Sequence, residues 1–95
     1  MPEMTFRVRW PDGTNEACYS PSLVVKEFFV PGARYPLDDF VARSRAALGI
    51  ASERVLEKYG FACSRALKQL ARIEEGARAY AALADATVLI EGFEE

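Results

Sequence analysis

Hydrophobic side chains recur every three or four positions between residues 35 and 60, and this spacing predicts one long amphipathic helix. Its stripe comprises Leu37, Val41, Ser44, Leu48, Ala51, Val55 and Tyr59, widened by Phe40, Ala47 and Ile50. Pro36 suits the first helical turn, and Gly60 is a typical stop in the left-handed conformation. Gly49 costs about 1 kcal/mol relative to Ala in a helix interior. We therefore expect a bend or a close crossing with another backbone at Gly49.

The N-terminal segment alternates strictly between apolar and polar residues from Met4 to Trp10, which predicts a half-buried strand. Residues 11–14, Pro-Asp-Gly-Thr, form a strong turn signal. Residues 15–20 then return as the second strand of a hairpin. Arg7 and Arg9 fall on the outer face of the first strand.

Two further helices are predicted on either side of the long one. A short helix runs from Ser20, its cap, through Pro21 to about Phe29, although the paired valines also fit a strand. Residues 30–34 read as a loop. A second long helix is capped by Ser64 and runs to about Ala82. Its apolar stripe comprises Leu67, Leu70, Ile73, Ala77 and Tyr80.

The C-terminal residues complete the predicted fold. Residues 86–91 read as a strand, and residues 92–95 are expected to fray. The order ββαααβ predicts an α+β fold formed by a single domain, residues 1–95. The N-terminal hairpin and the C-terminal strand form a three-stranded sheet, which packs on two long antiparallel helices and one short helix. We expect the last strand beside the first.

Composition narrows the class of protein. The 95 residues are 51% hydrophobic and 12% aromatic, with a net charge of −2. A small core does not accommodate so many aromatic residues easily, which favours apolar surface buried in a homodimer. The chain has no basic run for nucleic acid and no apolar run long enough for a membrane span. Its N-terminus lacks the pattern of a signal peptide, so we expect a cytoplasmic protein.

The chain contains two cysteines and no histidine. The commonest general base and transition-metal ligand is therefore missing. A zinc site needs about four ligands, so we expect no metal and no cofactor. In a reducing cytoplasm the two cysteines are expected to be free thiols.

The most site-like segment is residues 58–65, which contains Tyr59, Cys63, Ser64 and Arg65. A helix N-terminus attracts anions and lowers the pKa of a thiol, so these residues are candidates for binding a carboxylate or phosphate. Cys63 is also a candidate reactive thiol. The alternative, which we favour, is a helix junction in which Cys63 fills space and Ser64 is a cap.

Three weaker candidates have structural alternatives that we prefer. Cys18 is a second candidate reactive thiol, but no histidine can activate it. The acidic pair at 38–39 with Arg43 and Arg45 suggests acid–base chemistry, yet a helix start with surface ion pairs explains it better. Arg7, Arg9 and Arg34 suggest a cationic patch; we favour charges that protect a sheet edge.

Three segments together resemble a known family: MTFRVRWPDGTNEACYSPSLVVKEFF, YPLDDFVARSRAALGIASERV and EKYGFACSRALKQLARIE. They are similar to short bacterial proteins of the nitrogen-starvation response encoded in nitrilase-containing gene clusters, and the resemblance covers about residues 1–75. It implies a role beside nitrilase, radical-type, acyltransferase and flavin enzymes in nitrile or cyanide nitrogen assimilation. It implies no defined reaction and no catalytic residues.

The sequence therefore favours a non-catalytic accessory protein of the nitrogen-starvation response. Its expected partner is a second copy, as a homodimer, or a protein of the same gene cluster. A small-metabolite sensor that uses a pocket near Tyr59 and Arg65 is the alternative. A cysteine-dependent enzyme using Cys18 or Cys63 is a further alternative.

Overall fold

The computed structural model describes residues 2–95 and has the predicted α+β architecture. One antiparallel sheet of four strands packs against two α-helices and a short 3-10 helix. The elements in chain order are β1 (Met4–Arg9), β2 (Asn15–Ser20), the 3-10 helix (Leu23–Glu27), β3 (Arg34–Pro36), α1 (Leu37–Tyr59), α2 (Ser64–Arg78) and β4 (Thr87–Glu94).

The strand order in the sheet is β2-β1-β4-β3, which confirms the last strand beside the first. The prediction missed β3, whose three residues pair with the start of β4. Tyr35 precedes a proline, and this position disfavours helical backbone, so the chain stays extended and α1 begins at Leu37. The N–H of Leu37 donates to the carbonyl of Ala86 (3.0 Å), which joins the start of α1 to the start of β4.

Strand β1 lies inside the sheet, so the prediction that its arginines protect an edge is wrong. Arg7 forms an ion pair with Glu94, and Arg9 forms one with Glu91 at 3.0 Å. Both acidic residues belong to β4. The arginines on the outer face therefore join two neighbouring strands.

The core lies between the sheet and the helices and is rich in aromatic rings. The ring centroid of Phe29 lies 5.9 Å from that of Phe6 and 5.5 Å from that of Phe40. Trp10 packs edge-on against Phe40 at 5.6 Å and stacks on Tyr80 at 5.7 Å. These rings bring β1, α1 and the end of α2 into one hydrophobic cluster.

Two predicted helix caps are wrong. Ser22, not Ser20, caps the 3-10 helix, because its Oγ accepts from the N–H of Val24 at 3.3 Å. Ser64 is the first residue of α2 rather than its cap, and the cap position belongs to Cys63. The 3-10 helix thus begins two residues later than predicted, and α2 begins one residue earlier.

The C-terminal third also differs from its prediction. Strand β4 continues to Glu94, which pairs with Thr5, so residues 92–94 do not fray. Helix α2 ends at Arg78, before the predicted Ala82. Its buried positions are Ala66, Ile73 and Ala77, whereas Leu67 is exposed. The helical spacing of the apolar residues is as predicted, but the buried face of α2 begins at Ala66, one residue before the predicted Leu67.

Helix α1 is longer than the sheet beneath it. Its 23 residues span about 34 Å, whereas the eight residues of the longest strand, β4, span about 27 Å. The molecule accordingly measures 42 × 22 × 18 Å. Neither helix among residues 2–95 has the length and apolar character to cross a membrane. Val55 is the last buried residue of α1, and residues 56–59 at its end are exposed.

Candidate functional site

The turn between α1 and α2 exposes a group of large apolar side chains. Leu56 is 47% exposed, Tyr59 49%, Phe61 66% and Leu67 51%. The rings of Tyr59 and Phe61 lie 6.3 Å apart, and Lys58 Nζ lies 5.7 Å from the Tyr59 ring. We call Leu56, Tyr59, Phe61 and Leu67 the apolar corner. Large apolar residues grouped on a surface are typical of binding surfaces.

Local backbone geometry fixes the apolar corner at the end of α1. Gly60 adopts φ 81°, the predicted left-handed conformation, and its N–H donates to the carbonyl of Leu56 at 2.8 Å. This conformation ends α1 sharply and turns the chain towards α2. Phe61 follows directly and extends into solvent. The sequence therefore encodes the place of the corner as well as its apolar character.

Arg65 attaches the start of α2 to the sheet. Its guanidinium carbon lies 3.8 Å from the centroid of the Tyr19 ring on β2, and its Nη1 lies 3.9 Å from Glu3 Oε2. The Tyr19 hydroxyl donates to Glu3 at 3.0 Å. Burial and then the bond to Glu3 raise the pKa of Tyr19 above its ordinary value. Arg65 thus has intrachain contacts, and Tyr19 is a participant that the sequence analysis did not identify.

Helix α2 also covers the free edge of β2. The backbone N–H of Tyr19 points away from β1 and donates to Gln69 Oε1 at 2.9 Å. The Nε2 of Gln69 is buried without a hydrogen-bond partner. This contact gives the exposed edge of the sheet a side-chain acceptor and holds α2 in place beside it.

A cleft of about 640 Å³ lies at the opposite end of the helix pair from the apolar corner. Leu37 and Val41 of α1, Ala77 of α2 and Leu83 of the following segment supply its apolar lining. Charged side chains around it are Asp38, Arg45, Glu74, Arg78 and Asp85. Arg45 and Glu74 form an ion pair across the two helices at 2.7 Å. The cleft is amphipathic and open to solvent.

The model of the nitrogen starvation-induced protein NitG matches residues 5–93 of the chain. The chain belongs to the NitG family. None of the curated proteins and none of the solved structures compared with the chain matches it. The resemblance to nitrogen-starvation-response proteins is therefore confirmed at the level of the family.

The two thiols of this NitG family member occupy different environments, and both are free. Cys18 is fully buried on the inner face of β2, and burial, with a smaller contribution from Glu16, raises the pKa of its thiol to about 12. A thiol that stays protonated is a poor nucleophile. Cys63 is half-buried at the start of α2, where the helix has no side-chain cap. Of the two, Cys63 has the position that suits a reactive thiol.

The acidic start of α1 contains the ion pair predicted for it. Arg43 Nε lies 3.0 Å from Asp39 Oδ2, and Arg43 Nη1 donates to the carbonyl of Phe28 at 2.8 Å. The same guanidinium lies 4.8 Å over the Tyr35 ring. Arg43 and Asp39 thus join α1 to the segment before it. Asp38 and Arg45 instead line the cleft.

Arg9 and Arg34 lie in one row across the outer face of the sheet of this family member. Both are paired in register with Leu89 of β4, and both line a smaller recess of about 280 Å³. Arg7 points along the same face and pairs with Glu94. The NitG family member therefore has cations on this face, most of them neutralised by β4. Within residues 2–95, no group of three or more Cys, Asp or Glu side chains is arranged to hold a metal ion.

The predicted site residues lie together at the α1–α2 turn, but neither cleft includes them. Tyr59 belongs to the apolar corner, whereas Cys63, Ser64 and Arg65 belong to the start of α2. The clefts are lined by other residues near the start of α1 and the end of α2. Sequence patterns missed the larger cleft because its walls come from three separate segments.

Proposed function

We propose that this NitG family member acts in the nitrogen-starvation response as a non-catalytic interaction protein in the cytoplasm. It binds a second copy of itself or another protein through the apolar corner. The resemblance to proteins of nitrilase-containing gene clusters supports a role in nitrile or cyanide nitrogen assimilation as part of this proposal. The observation that carries the proposal is the exposure of Leu56, Tyr59, Phe61 and Leu67 at one turn.

The structure of the corner supports a binding role on energetic grounds. Burying a large apolar side chain contributes about 1.5–3 kcal/mol, and aromatic residues are frequent hot spots of interfaces. Tyr59 and Phe61 lie on a turn that Gly60 fixes and that Arg65 attaches to Tyr19. An ordered surface loses less conformational entropy on binding than a mobile one. The corner is thus a preorganised apolar surface.

The environment of Cys18 supports the non-catalytic part of the proposal. Its raised pKa, about 12, keeps the thiol protonated at neutral pH. Cys63 stays a candidate for a reactive thiol, and a cysteine-dependent enzyme would depend on it. Replacing Cys63 by serine distinguishes an interaction protein from a cysteine-dependent enzyme, because serine preserves the size of the side chain but lacks the reactivity of a thiolate.

Complementation of a strain that lacks the gene tests the proposal. Cells under nitrogen starvation, with a nitrile as nitrogen source, would receive the wild-type gene or the Phe61→Asp, Val30→Asp, Cys18→Ser or Cys63→Ser variant. Val30 is a matched control because it is 62% exposed but lies outside the corner. We expect Phe61→Asp alone to fail. Growth of the Phe61→Asp strain together with failure of the Cys63→Ser strain would overturn the proposal in favour of an enzyme.

A metabolite sensor is the second candidate, and the cleft of about 640 Å³ favours it. The cleft combines apolar lining with carboxylates and arginines, which suits a small amphipathic nitrogen metabolite. Thermal-shift screening of nitriles, amino acids and nucleotides tests this role. Stabilisation that Leu83→Asp abolishes would support a sensor, whereas no stabilisation by any of them would reject it.

A further inference from the structure

The cleft and the apolar corner lie at opposite ends of the helix pair, and one row of side chains on each helix runs between them. At 3.6 residues per turn, one row of α1 contains Asp38, Val41, Arg45, Gly49, Ser52, Leu56 and Tyr59. The facing row of α2 contains Leu67, Leu70, Glu74 and Ala77. The 2.7 Å ion pair of Arg45 with Glu74 joins the two rows. We call these two rows the groove face.

The two ends of the groove face have complementary shapes. One end is the concave cleft with Leu37, Val41, Ala77 and Leu83 in its lining. The other end is the convex apolar corner. The two ends lie about 32 Å apart along α1, from Asp38 to Tyr59. A protruding apolar group and a cleft thus lie on the same face of one chain.

Gly49 lies midway between these ends and has no evident role within the chain. A Cβ built on Gly49 would meet nothing within 4 Å. Glycine is among the least favourable residues in a helix interior. The other helical glycine, Gly76, is explained by the chain itself, since its Cβ would lie 3.1 Å from Trp10. Gly49 instead leaves room for a backbone that the chain does not supply.

We propose that two copies of the chain associate through their groove faces, antiparallel, about a two-fold axis beside Gly49. The apolar corner of each copy then occupies the cleft of the other. In this register Leu56 of one copy lies against Val41 of the second, and Tyr59 lies beside Asp38. The inference rests on the proposed function, because it names a second copy as the occupant of the apolar corner.

The charges of the two ends favour this pairing. Residues 56–68 contain the cations Lys58, Arg65 and Lys68 and one carboxylate, Glu57, and Arg65 is already paired with Glu3. The cleft is lined by three carboxylates and two arginines, and one arginine is already paired with Glu74. A net positive corner therefore meets a net negative cleft, and the two-fold symmetry repeats the contact.

The size of the groove face favours an overlap along its full length. A face about 33 Å long and two helix diameters, about 20 Å, wide offers on the order of 600 Å² before side chains interdigitate. A standard interface buries about 800 Å² per partner. An end-on contact of two corners would use only a fraction of this area. The antiparallel arrangement, with about 600 Å² per partner, therefore reaches only the lower end of the standard range of interface size.

Sedimentation velocity of two variants and their mixture tests the arrangement. Phe61→Asp alters the corner and Leu83→Asp alters the cleft, while Val30→Asp is the exposed control. We expect each of the first two to raise the dimer dissociation constant at least tenfold. Their equimolar mixture associates more tightly than either variant alone, because the heterodimer retains one unaltered corner–cleft contact. Circular dichroism verifies folding, and Leu83→Ser replaces Leu83→Asp if the latter misfolds.

The outcomes separate this inference from the proposed function. A monomeric wild type, or weaker association in Phe61→Asp but not in the cleft variants, overturns the inference. The corner then binds another surface, and the proposed function still stands if Phe61→Asp fails to complement. If all variants associate as tightly as the wild type, the inference is overturned as well, because neither the apolar corner nor the cleft would then lie in the dimer contact.

Gly49→Ala adds an independent readout. Two methyl groups at the proposed crossing are expected to raise the dissociation constant about tenfold. In the Phe61→Asp background, where the chain is monomeric, the same substitution is expected to raise the melting temperature, because alanine favours a helix. Unchanged association of Gly49→Ala would contradict a backbone crossing at this position.

Discussion

In the core, Phe6, Phe29 and Phe40 are fully buried, whereas Tyr59 and Phe61 at the apolar corner are largely exposed. Both groups are aromatic, and α1 contributes Phe40 to one and Tyr59 to the other. The difference follows position along α1, because Phe40 packs against Phe29 in the core whereas Tyr59 lies in the exposed last turn. Aromatic content alone therefore does not distinguish residues that hold the fold together from residues available for binding.

The largest predicted effect is the difference in stability between two variants, each of which truncates one phenylalanine: Phe40 in the core or Phe61 at the apolar corner. Phe40→Ala leaves a cavity beside Phe29 and Trp10 and should lower the free energy of unfolding by about 3–5 kcal/mol. Phe61→Ala should change it by less than about 0.5 kcal/mol in monomeric chains. Urea denaturation at low protein concentration measures both. Similar losses for both variants would mean that the corner belongs to the folding core.

The next effect is a pH dependence due to Cys18. The pKa of its thiol is about 12 in the folded chain against an ordinary 9.0, so the folded state holds this proton more tightly. The stability contributed by Cys18 is fully present below pH 9. It is lost at about 1.4 kcal/mol per pH unit as pH rises from about 9 to about 12. Urea denaturation at pH 8 and pH 10 measures this difference. Between these two pH values the free energy of unfolding should fall less for Cys18→Ala than for wild type.

Cys63→Ala is the control for this pH dependence, because it removes the thiol at the start of α2 and leaves Cys18 in place. Cys63→Ala should still lose stability between pH 8 and pH 10, because it retains the buried thiol of Cys18. If Cys18→Ala loses as much as the wild type, the thiol of Cys18 does not have its raised pKa. Labelling in native buffer provides a second comparison, with Cys63 modified before Cys18.

A smaller effect distinguishes the two helical glycines. In Gly76→Ala the new methyl group meets Trp10 at 3.1 and 3.3 Å, and Trp10 is held between Phe40 and Tyr80. We expect the free energy of unfolding to fall by about 1 kcal/mol, because the cost of the close contact exceeds the stability gained from the higher helix propensity of alanine. Gly49→Ala should gain up to about 1 kcal/mol in the monomeric Phe61→Asp background. Thermal and urea denaturation measure both, and a stabilising Gly76→Ala would show that Trp10 moves easily.

The smallest effect concerns the attachment of the corner to the sheet. Arg65→Ala removes the guanidinium from the Tyr19 ring and should cost less than about 1 kcal/mol, because the contact is exposed. Lys68→Ala is the control on the same helix. Hydrogen exchange is the sharper measurement, with faster exchange expected at the first hydrogen-bonded amides of α2, from Leu67 onwards. Exchange unchanged from wild type would mean that Arg65 does not order the corner.

Local patterns were sufficient to predict the elements whose signals lie within a short segment. The periodicity of α1, its stop at Gly60 and the hairpin of β1 and β2 are of this kind. Strand β3 was missed because its three residues are extended only through pairing with β4, more than 50 residues later in the chain. Contacts between distant residues determine such short strands.

At the candidate site, too, features with a local signal were predicted and contacts between distant residues were not. The turn at residues 59–65 was predicted, but its contact between Arg65 and Tyr19 joins residues of different elements and leaves no local signal. Leu67 was expected in the core because its spacing fits the stripe, yet the buried face of α2 passes through Ala66. A one-residue rotation of a helix is enough to convert a leucine expected in the core into an exposed residue.

Capture from nitrogen-starved cells tests the binding role of the apolar corner most directly. Wild-type, Phe61→Asp and Val30→Asp chains would serve as baits, and bound proteins, including untagged copies of the chain, would be quantified. We expect wild type and Val30→Asp to retain the same bound proteins and Phe61→Asp to lose them. Equal recovery with Phe61→Asp would contradict a binding function for the apolar corner.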